Sequence, residues 1–177
     1  MIAEHATREE LFAGLGEVRA SPADAGTVEL IVRRPAENER EVLAEALLDL
    51  DEGLVGDRWA LGSRAADAQL TLMNARLAQL VAGSRDRWPL AGDQLYVDLD
   101  LGVDNLPAGT RLAVGGAVVE VTGLPHTGCA KFRARFGVEA LKLVNKGEGR
   151  TLRLRGVNAR VVEPGTVRAG DAVVKLA

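Results

Sequence analysis

Residues Val118–Phe132 read VVEVTGLPHTGCAKF and contain the most informative change of pattern in the chain. The β-branched residues from Val118 to Thr122 predict a strand. Gly123 and Pro125 then interrupt it, since both residue types favour turns. The strand therefore leads into the polar loop His126-Thr127-Gly128-Cys129, and loops at the ends of strands are where a rigid scaffold presents reactive side chains.

The strand that carries this loop is expected to be the second strand of a hairpin. Leu112–Val114 and Ala117–Val119 flank Gly115-Gly116, and a Gly-Gly pair allows a tight turn with positive φ at both positions. The same composition and alternation predict the further strands Val28–Val32, Gln69–Met73, Gln94–Leu101, Thr151–Arg155, Val157–Val162 and one within Val167–Leu176. Glu41–Leu50 has helix propensity, but we interpret it as a strand that leads into a loop.

Helical segments are few and short. Residues 1–17 suit a helix with a capping box at Thr7 and Glu10, an apolar stripe, and an end at Gly14 and Gly16. Asn74 is expected to cap a helix that Gly83 ends, and two more helical segments follow Cys129. The whole pattern predicts a mainly β fold, an antiparallel barrel or sandwich, with residues 1–27 as an N-terminal helix and loop and residues 28–177 as the domain.

Composition narrows the classes of function. The 177 residues include one cysteine and two histidines, which excludes an internal disulfide and a structural zinc site built from Cys and His. The sequence lacks a transmembrane run and a signal-peptide pattern, so we expect a cytoplasmic protein that does not enter membranes. Aromatic residues make up only 3%, which leaves few stacking platforms and argues against a nucleic-acid partner.

Positive charge is concentrated around the cysteine. The segment from His126 to Arg160 holds nine Lys or Arg and two acidic residues, a local charge of +7 in a chain of net charge −3. This basic segment is compatible with a bound anion and equally with an ordinary solvated surface.

Cys129 has two interpretations from sequence. Most free cysteines behave as small buried apolar residues. The Gly-Cys step in a polar loop is a poor core position, however, and Lys131, Arg133 and His126 would favour the reactive thiolate. A Cys/His catalytic pair of Cys129 with His126 is conceivable, although His126 is equally suited to capping the loop.

Two other loops and one predicted strand contain candidate ligands that also have ordinary structural interpretations. Arg58 lies in Gly53–Trp59, and Asn105 lies in Asp104–Gly109. Arg155 precedes Gly156 in a predicted strand, where it is either an anion ligand whose guanidinium is suited to binding phosphate or an exposed strand residue.

Taken together, these segments resemble the MOSC domain, a family named for the C-terminal domain of molybdenum cofactor sulfurases. The resemblance rests on GLVGDRW, QLTLM, DNLPAGTRL, VTGLPHTGCAKF and RGVNARV with a closing Gly-Asp, and it covers roughly residues 28–176. It implies a barrel-like β fold, in agreement with the predicted strands.

The resemblance also implies a ligand and a chemistry. The ligand is the molybdenum cofactor, a pterin dithiolene with a phosphate. Cys129 matches the family's characteristic cysteine. The resemblance implies that Cys129 is either the catalytic residue that carries sulfur as a persulfide or a ligand to molybdenum. The cofactor-binding positions that it implies are Arg58, Asn105, His126, Lys131 and Arg155.

Two expectations about partners follow from the resemblance. Full sulfurases have an upstream domain that uses pyridoxal phosphate, and this chain has no room for it, so no pyridoxal phosphate site is expected. Sulfur would come from a partner such as a cysteine desulfurase. Stand-alone members linked to the reduction of N-hydroxylated compounds imply instead an electron-transfer partner, and a passive cofactor-binding module is the third possibility.

Overall fold

A barrel of seven strands forms the centre of the protein in the computed structural model, which describes residues 4–177. Its strands are β1 (Ala25–Arg33), β5 (Leu70–Asn74), β6 (Leu95–Asp98), β7 (Arg111–Val114), β8 (Ala117–Val121), β9 (Val157–Glu163) and β11 (Ala172–Lys175). They follow the order β1-β11-β7-β8-β9-β5-β6 and close again on β1. Every pairing in the barrel is antiparallel except that of β5 with β6, which is parallel. The predicted antiparallel barrel-like fold is confirmed.

Four shorter strands extend the barrel at one side. They are β2 (Glu41–Leu43), β3 (Glu45–Asp49), β4 (Gly53–Leu54) and β10 (Gly165–Arg168). β2 pairs with β1, while β10, β3 and β4 form a small second sheet. In β3, Ala46 and Leu48 are buried in the barrel core, while Glu45 and Leu47 are exposed. Burial of every second side chain therefore outweighs the helix propensity of residues 41–50.

Residues 4–177 contain five α-helices. They are α1 (Arg8–Arg19), α2 (Ala75–Ala82), α3 (Ala130–Phe136), α4 (Val138–Asn145) and α5 (Glu148–Thr151). The expectations for α2 are confirmed: the Asn74 side chain accepts the N–H groups of Arg76 and Leu77, and Gly83 follows in the left-handed conformation.

The N-terminal helix packs against the rest of the domain. Thr7 and Glu10 form the predicted capping box, but α1 continues through Gly14 and Gly16 to Arg19. The early end is therefore wrong, because packing of Leu11 and Leu15 in a second apolar core outweighs the low helix propensity of glycine. Residues 1–3 of the predicted helical segment lie outside the described residues.

Strand β6 is buried on both faces rather than on one. Leu95 and Val97 belong to the core of the barrel, while Tyr96 belongs to the second core under the helices. The predicted half-buried strand is wrong on this point, since α2 covers the face that alternation assigned to solvent.

Two further expectations about the backbone are corrected. Residues 151–155 complete α5 and a turn instead of forming a strand, and Arg153 has a φ of 48°. Arg153 and Arg155 therefore do not share a strand face; each guanidinium instead bonds backbone carbonyls of the folded core. In the confirmed β7–β8 hairpin, only Gly115 has the positive φ predicted for both glycines.

None of the helices within residues 4–177 combines the length and the apolar character that crossing a membrane requires.

Candidate functional site

Cys129 lies at the N-terminus of α3, at the end of the loop that leaves β8. The loop is fixed by two amides: Asn158 donates to the carbonyl of Leu124 at 3.0 Å, and Asn145 bonds both the N–H and the C=O of Gly128. Phe132 anchors the helix in the second core. The thiol itself is exposed, so the interpretation of Cys129 as a buried apolar residue does not apply.

The surroundings of the thiol favour its ionised form. The pKa of Cys129 is lowered, first by the backbone N–H of Phe132 and then by the N–H of Lys131 and the positive charges of Arg155 and Arg135, while partial burial opposes the shift. The thiol forms no capping hydrogen bond to the helix, so these groups act through their electrostatic field. A thiolate is both the nucleophilic and the metal-binding form of cysteine.

Asp93 connects two of the predicted site residues. One carboxylate oxygen lies 2.6 Å from Nη1 of Arg155 and the other lies 3.0 Å from Nε2 of His126. Asp93 is fully buried; burial opposes its ionisation, but Arg155 and His126 outweigh burial and lower its pKa. The carboxylate therefore fixes both side chains behind the cysteine loop.

Gly156 allows the His126 ring to approach the barrel. Its φ of 121° suits glycine, and a Cβ there would lie 2.4 Å from the carbonyl oxygen of Leu72 and 3.1 Å from the His126 ring. A larger residue at this position would displace the histidine or the strand.

The Arg155 guanidinium is buried beneath the site. It stacks 5.1 Å from the centre of the Phe132 ring, and its Nη2 donates to the carbonyl of Ala91. Its Nε is a buried donor with no hydrogen-bond partner among residues 4–177. The charge of Arg155 is thus close to the thiol but is shared with Asp93.

A second buried carboxylate, Asp57, shapes the neighbouring loop. It accepts two hydrogen bonds from the Arg34 guanidinium and one each from the backbone N–H groups of Arg34 and Trp59. Burial opposes its ionisation, yet the bonds from Arg34 lower its pKa. Asp57 lies in a loop with the composition of an ordinary turn. It is nevertheless the anchor that positions Arg58, the next residue.

Arg58 and His126 line the same open cleft of about 600 Å³, which we call the basic cleft. Arg34 and Arg64 also line it, with Thr71, Asn158 and the loop residues Leu124–Thr127. No acidic side chain within the described chain forms an ion pair with Arg58. Arg58 therefore contributes positive charge to the basic cleft without a carboxylate in direct contact. Its charge also reaches Glu37, whose pKa is lowered first by Lys131 and also by Arg58.

Four arginines near the cleft are held by consecutive backbone carbonyls. The carbonyls of Pro89, Leu90, Ala91 and Gly92 accept hydrogen bonds from Arg40, Arg135, Arg155 and Arg34, respectively. The pKa of Arg40 is lowered by burial and by the nearby charges of Arg135, Arg34 and Arg58. The carbonyls orient all four guanidinium groups, but Arg34 and Arg155 are also paired with Asp57 and Asp93, so only Arg40 and Arg135 have no carboxylate partner among residues 4–177.

The structure brings together most, but not all, of the predicted site residues. Arg58 and His126 line the basic cleft, and Arg155 lies behind it. Lys131 is exposed and forms a 3.0 Å ion pair with Glu37. Asn105 does not line the cleft: its amide bonds the carbonyls of Ala23 and Asp100 and the ammonium of Lys175, which fixes a turn.

Sequence reasoning missed Asp93, Arg34, Arg40 and Arg135, whereas Arg155 was among the predicted site residues. Gly92-Asp93 has the composition of a turn. Only the long-range contacts of Asp93 with Arg155 and His126 distinguish it from an ordinary surface turn. No cluster of three or more His, Cys, Asp or Glu side chains suited to a metal ion occurs within residues 4–177.

Comparison with known proteins places this fold among solved structures. The YuaD protein from Bacillus subtilis is 16% identical with a TM-score of 0.59, over 84% of this chain and 94% of that chain. YiiM from Escherichia coli is 20% identical with a TM-score of 0.57, over 85% of this chain and 70% of that chain. YiiM from Geobacillus stearothermophilus is 14% identical with a TM-score of 0.52, over 88% of this chain and 74% of that chain. At these identities the likeness shows the fold alone.

No curated protein matches the sequence significantly. The family model of the MOSC domain, in contrast, matches residues 68–174. This match spans more than half of the chain and includes β5, β8, the cysteine loop and β9. The chain belongs to the MOSC domain family.

Proposed function

We propose that this MOSC protein binds the molybdenum cofactor in the basic cleft and uses the thiolate of Cys129 at the metal end of that ligand. The observation that carries the proposal is the position of an exposed, acidified thiol two residues beyond Thr127, which lines a cleft with the unpaired Arg58. One loop and its neighbours thereby present a positive charge suited to an anion together with a soft thiolate ligand.

The residues present suit such a ligand. The cofactor carries a phosphate, and the guanidinium groups of Arg58 and Arg64 at the cleft are suited to bind it. A volume of about 600 Å³ lies within the range of small-molecule sites, roughly 300–1,000 Å³. His126 would form part of the wall, and Cys129 would provide the soft sulfur ligand that a thiolate supplies to such metals.

The protein's own residues have separable tasks in this proposal. Arg58 binds the phosphate, Asp93 holds Arg155 and His126 in place, and Arg155 and Arg135 stabilise the thiolate. When bound, the cofactor would supply the redox or sulfur-accepting chemistry of molybdenum. The family association with this cofactor is general, and the use of Cys129 is the specific part that we propose.

One version of this function is a sulfur carrier. The Cys129 thiolate would attack the terminal sulfur of a persulfide on a donor protein such as a cysteine desulfurase. The new S–S bond forms on Cys129 as the donor's S–S bond breaks, and the donor leaves as a thiolate, so that no external oxidant is needed. The exposure of the thiol favours this version, since a donor protein must reach it.

The second version is a component of a reductase for N-hydroxylated compounds, in which Cys129 ligates molybdenum and an electron-transfer protein supplies electrons. A passive storage module would need the cleft but not the thiol.

Metal, pterin and labile-sulfur analysis of protein expressed in a cofactor-producing host distinguishes these versions. Molybdenum that is retained by wild type and lost in Cys129→Ser supports ligation, and cyanide-labile sulfur on Cys129 without molybdenum supports the carrier. Full retention of cofactor in Cys129→Ser supports the passive module.

Arg58→Gln should lose pterin, whereas Arg133→Gln, at an exposed arginine outside the cleft, should not. Absence of molybdenum, pterin and labile sulfur from every preparation would refute the proposal.

A further inference from the structure

A second cavity lies on the other side of the cysteine loop from the basic cleft. It has a volume of about 320 Å³, and we call it the arginine pocket; Arg150 and Arg153 line it together with Val103, Val144, Val157 and the segment Thr122–Thr127. The loop residues Leu124–Thr127 and Asn158 line both cavities. The loop therefore acts as a partition, with Arg58 on one side and Arg150 on the other.

Arg153 is a partly buried cation without an acidic partner. Its Nη1 donates to the carbonyls of Leu106 at 2.5 Å and Leu101 at 3.4 Å, and no carboxylate within residues 4–177 forms an ion pair with it. Burial lowers its pKa. Its φ of 48° is one that residues other than glycine rarely adopt, and such conformations persist where the surroundings hold the residue in place.

Arg150 supplies a second, more accessible charge. It is exposed, and no acidic side chain in the described part of the chain pairs with it. The walls between these two arginines are largely apolar: Val103, Val157 and Pro125 contribute to them. A ligand that suits the arginine pocket thus combines an oxyanion with a small apolar body.

We propose that the arginine pocket binds the anionic group of a small aromatic or aliphatic phosphate or carboxylate, independently of the basic cleft. Arg150 and Arg153 line the same cavity. Its apolar walls would exclude water from one side of the ion pair that a bound anion forms with these arginines. A ligand there would contact the opposite face of the loop that ends in Cys129. The inference does not depend on the molybdenum cofactor, because cleft and pocket have separate arginines.

NMR titration of the full-length, cofactor-free protein with phenyl phosphate and with benzoate tests this site. The amide signals expected to shift are those of Thr122, Gly123, Gly149, Gly156 and Val157, while those of Gly62 and Ser63 in the basic cleft should shift less. Benzyl alcohol, which lacks the anion, should bind more weakly than at least one of the two anions. The tighter anion identifies the class of ligand.

Two variants make the result specific. Arg150→Gln should weaken binding about fivefold, the upper range for one exposed ion pair, and Arg133→Gln should leave it unchanged. Val103→Trp should fill part of the pocket without removing a charge, so it tests the site even if variants of Arg153 fail to fold. Shifts confined to the basic cleft, equal binding of benzyl alcohol, or equal effects of Arg150→Gln and Arg133→Gln would overturn the proposal.

Discussion

The carboxylate of Asp93 lies 2.6 Å from the guanidinium of Arg155, and both side chains are buried, with exposed fractions of 0% and 8%. The pair joins the turn before β6 to the turn before β9, two segments that are 62 residues apart in sequence. It thereby places a positive charge beneath the cysteine helix while the second carboxylate oxygen of Asp93 contacts His126.

Removal of the Asp93 charge should destabilise the fold strongly. Asp93→Asn leaves the buried guanidinium of Arg155 without its counter-ion, and breaking such a pair costs about 3–5 kcal/mol. Urea unfolding at pH 7 measures this loss. The matched control is Asp98→Asn, whose pair with Arg76 is about 30% exposed and should contribute about 1 kcal/mol or less. Equal losses in the two variants would contradict the role assigned to Asp93.

Acid should remove the contribution of Asp93 in a defined direction. The folded pKa of Asp93 is lowered below that of an unfolded aspartate, about 3.9. The unfolded chain therefore takes up a proton first as the pH falls, so the stabilisation is complete above the unfolded pKa and is lost as the pH falls towards the folded pKa. The difference in unfolding free energy between wild type and Asp93→Asn should shrink as the pH falls below about 4. A difference that grows on acidification would contradict this assignment.

The reactivity of Cys129 should depend on one arginine of its helix and not on another. Arg135 is among the charges that lower the pKa of the thiol, whereas Arg133 is not. Arg135→Gln should raise the pKa of Cys129 and slow alkylation by iodoacetamide at pH 7 about twofold, because the lost interaction is partly screened by solvent. Arg133→Gln should react at the wild-type rate, and an equal effect of both substitutions would show that only net charge matters.

Helix α1 should contribute to the stability of the whole domain. Leu15 is 1% exposed in the second core, while Phe12, also on α1, is 53% exposed. Leu15→Ala should reduce the free energy of unfolding by about 2–5 kcal/mol, and Phe12→Ala should change it by less than about 0.5 kcal/mol. A two-step unfolding curve, in which α1 melts before the barrel, would contradict its inclusion in a single cooperative unit.

Local chemistry explains which elements could be predicted from sequence. Asn74 and Gly83 define the two ends of α2 through their own side chain and backbone, and Gly115 permits the β7–β8 turn. The polar loop before Cys129 likewise argued against a core position for the thiol, which is exposed. These features depend on residues close together in the chain.

Features that depend on distant partners could not be predicted. Alternation over residues 151–155 favoured a strand, but carbonyl acceptors 47 and 64 residues away hold Arg153 and Arg155 in other directions. Asp57 and Asp93 each follow a glycine, and the turn composition conceals that both are buried partners of arginines. Asn105 has the spacing of a family motif, yet its hydrogen bonds are with the turn that contains it and with neighbouring segments.

Protection of Cys129 by the cofactor is the most direct test that the thiol and the basic cleft form one site. The measurement is the rate of iodoacetamide alkylation of Cys129 with and without molybdenum cofactor released from a denatured molybdoenzyme, with bound pterin determined in the same samples. We predict that loading slows alkylation at least about tenfold in wild type, since a metal-bound or covered thiolate is not a free nucleophile, and that Arg58→Gln loses both pterin and protection. Protein that retains pterin while Cys129 is alkylated at its full rate would contradict the proposal.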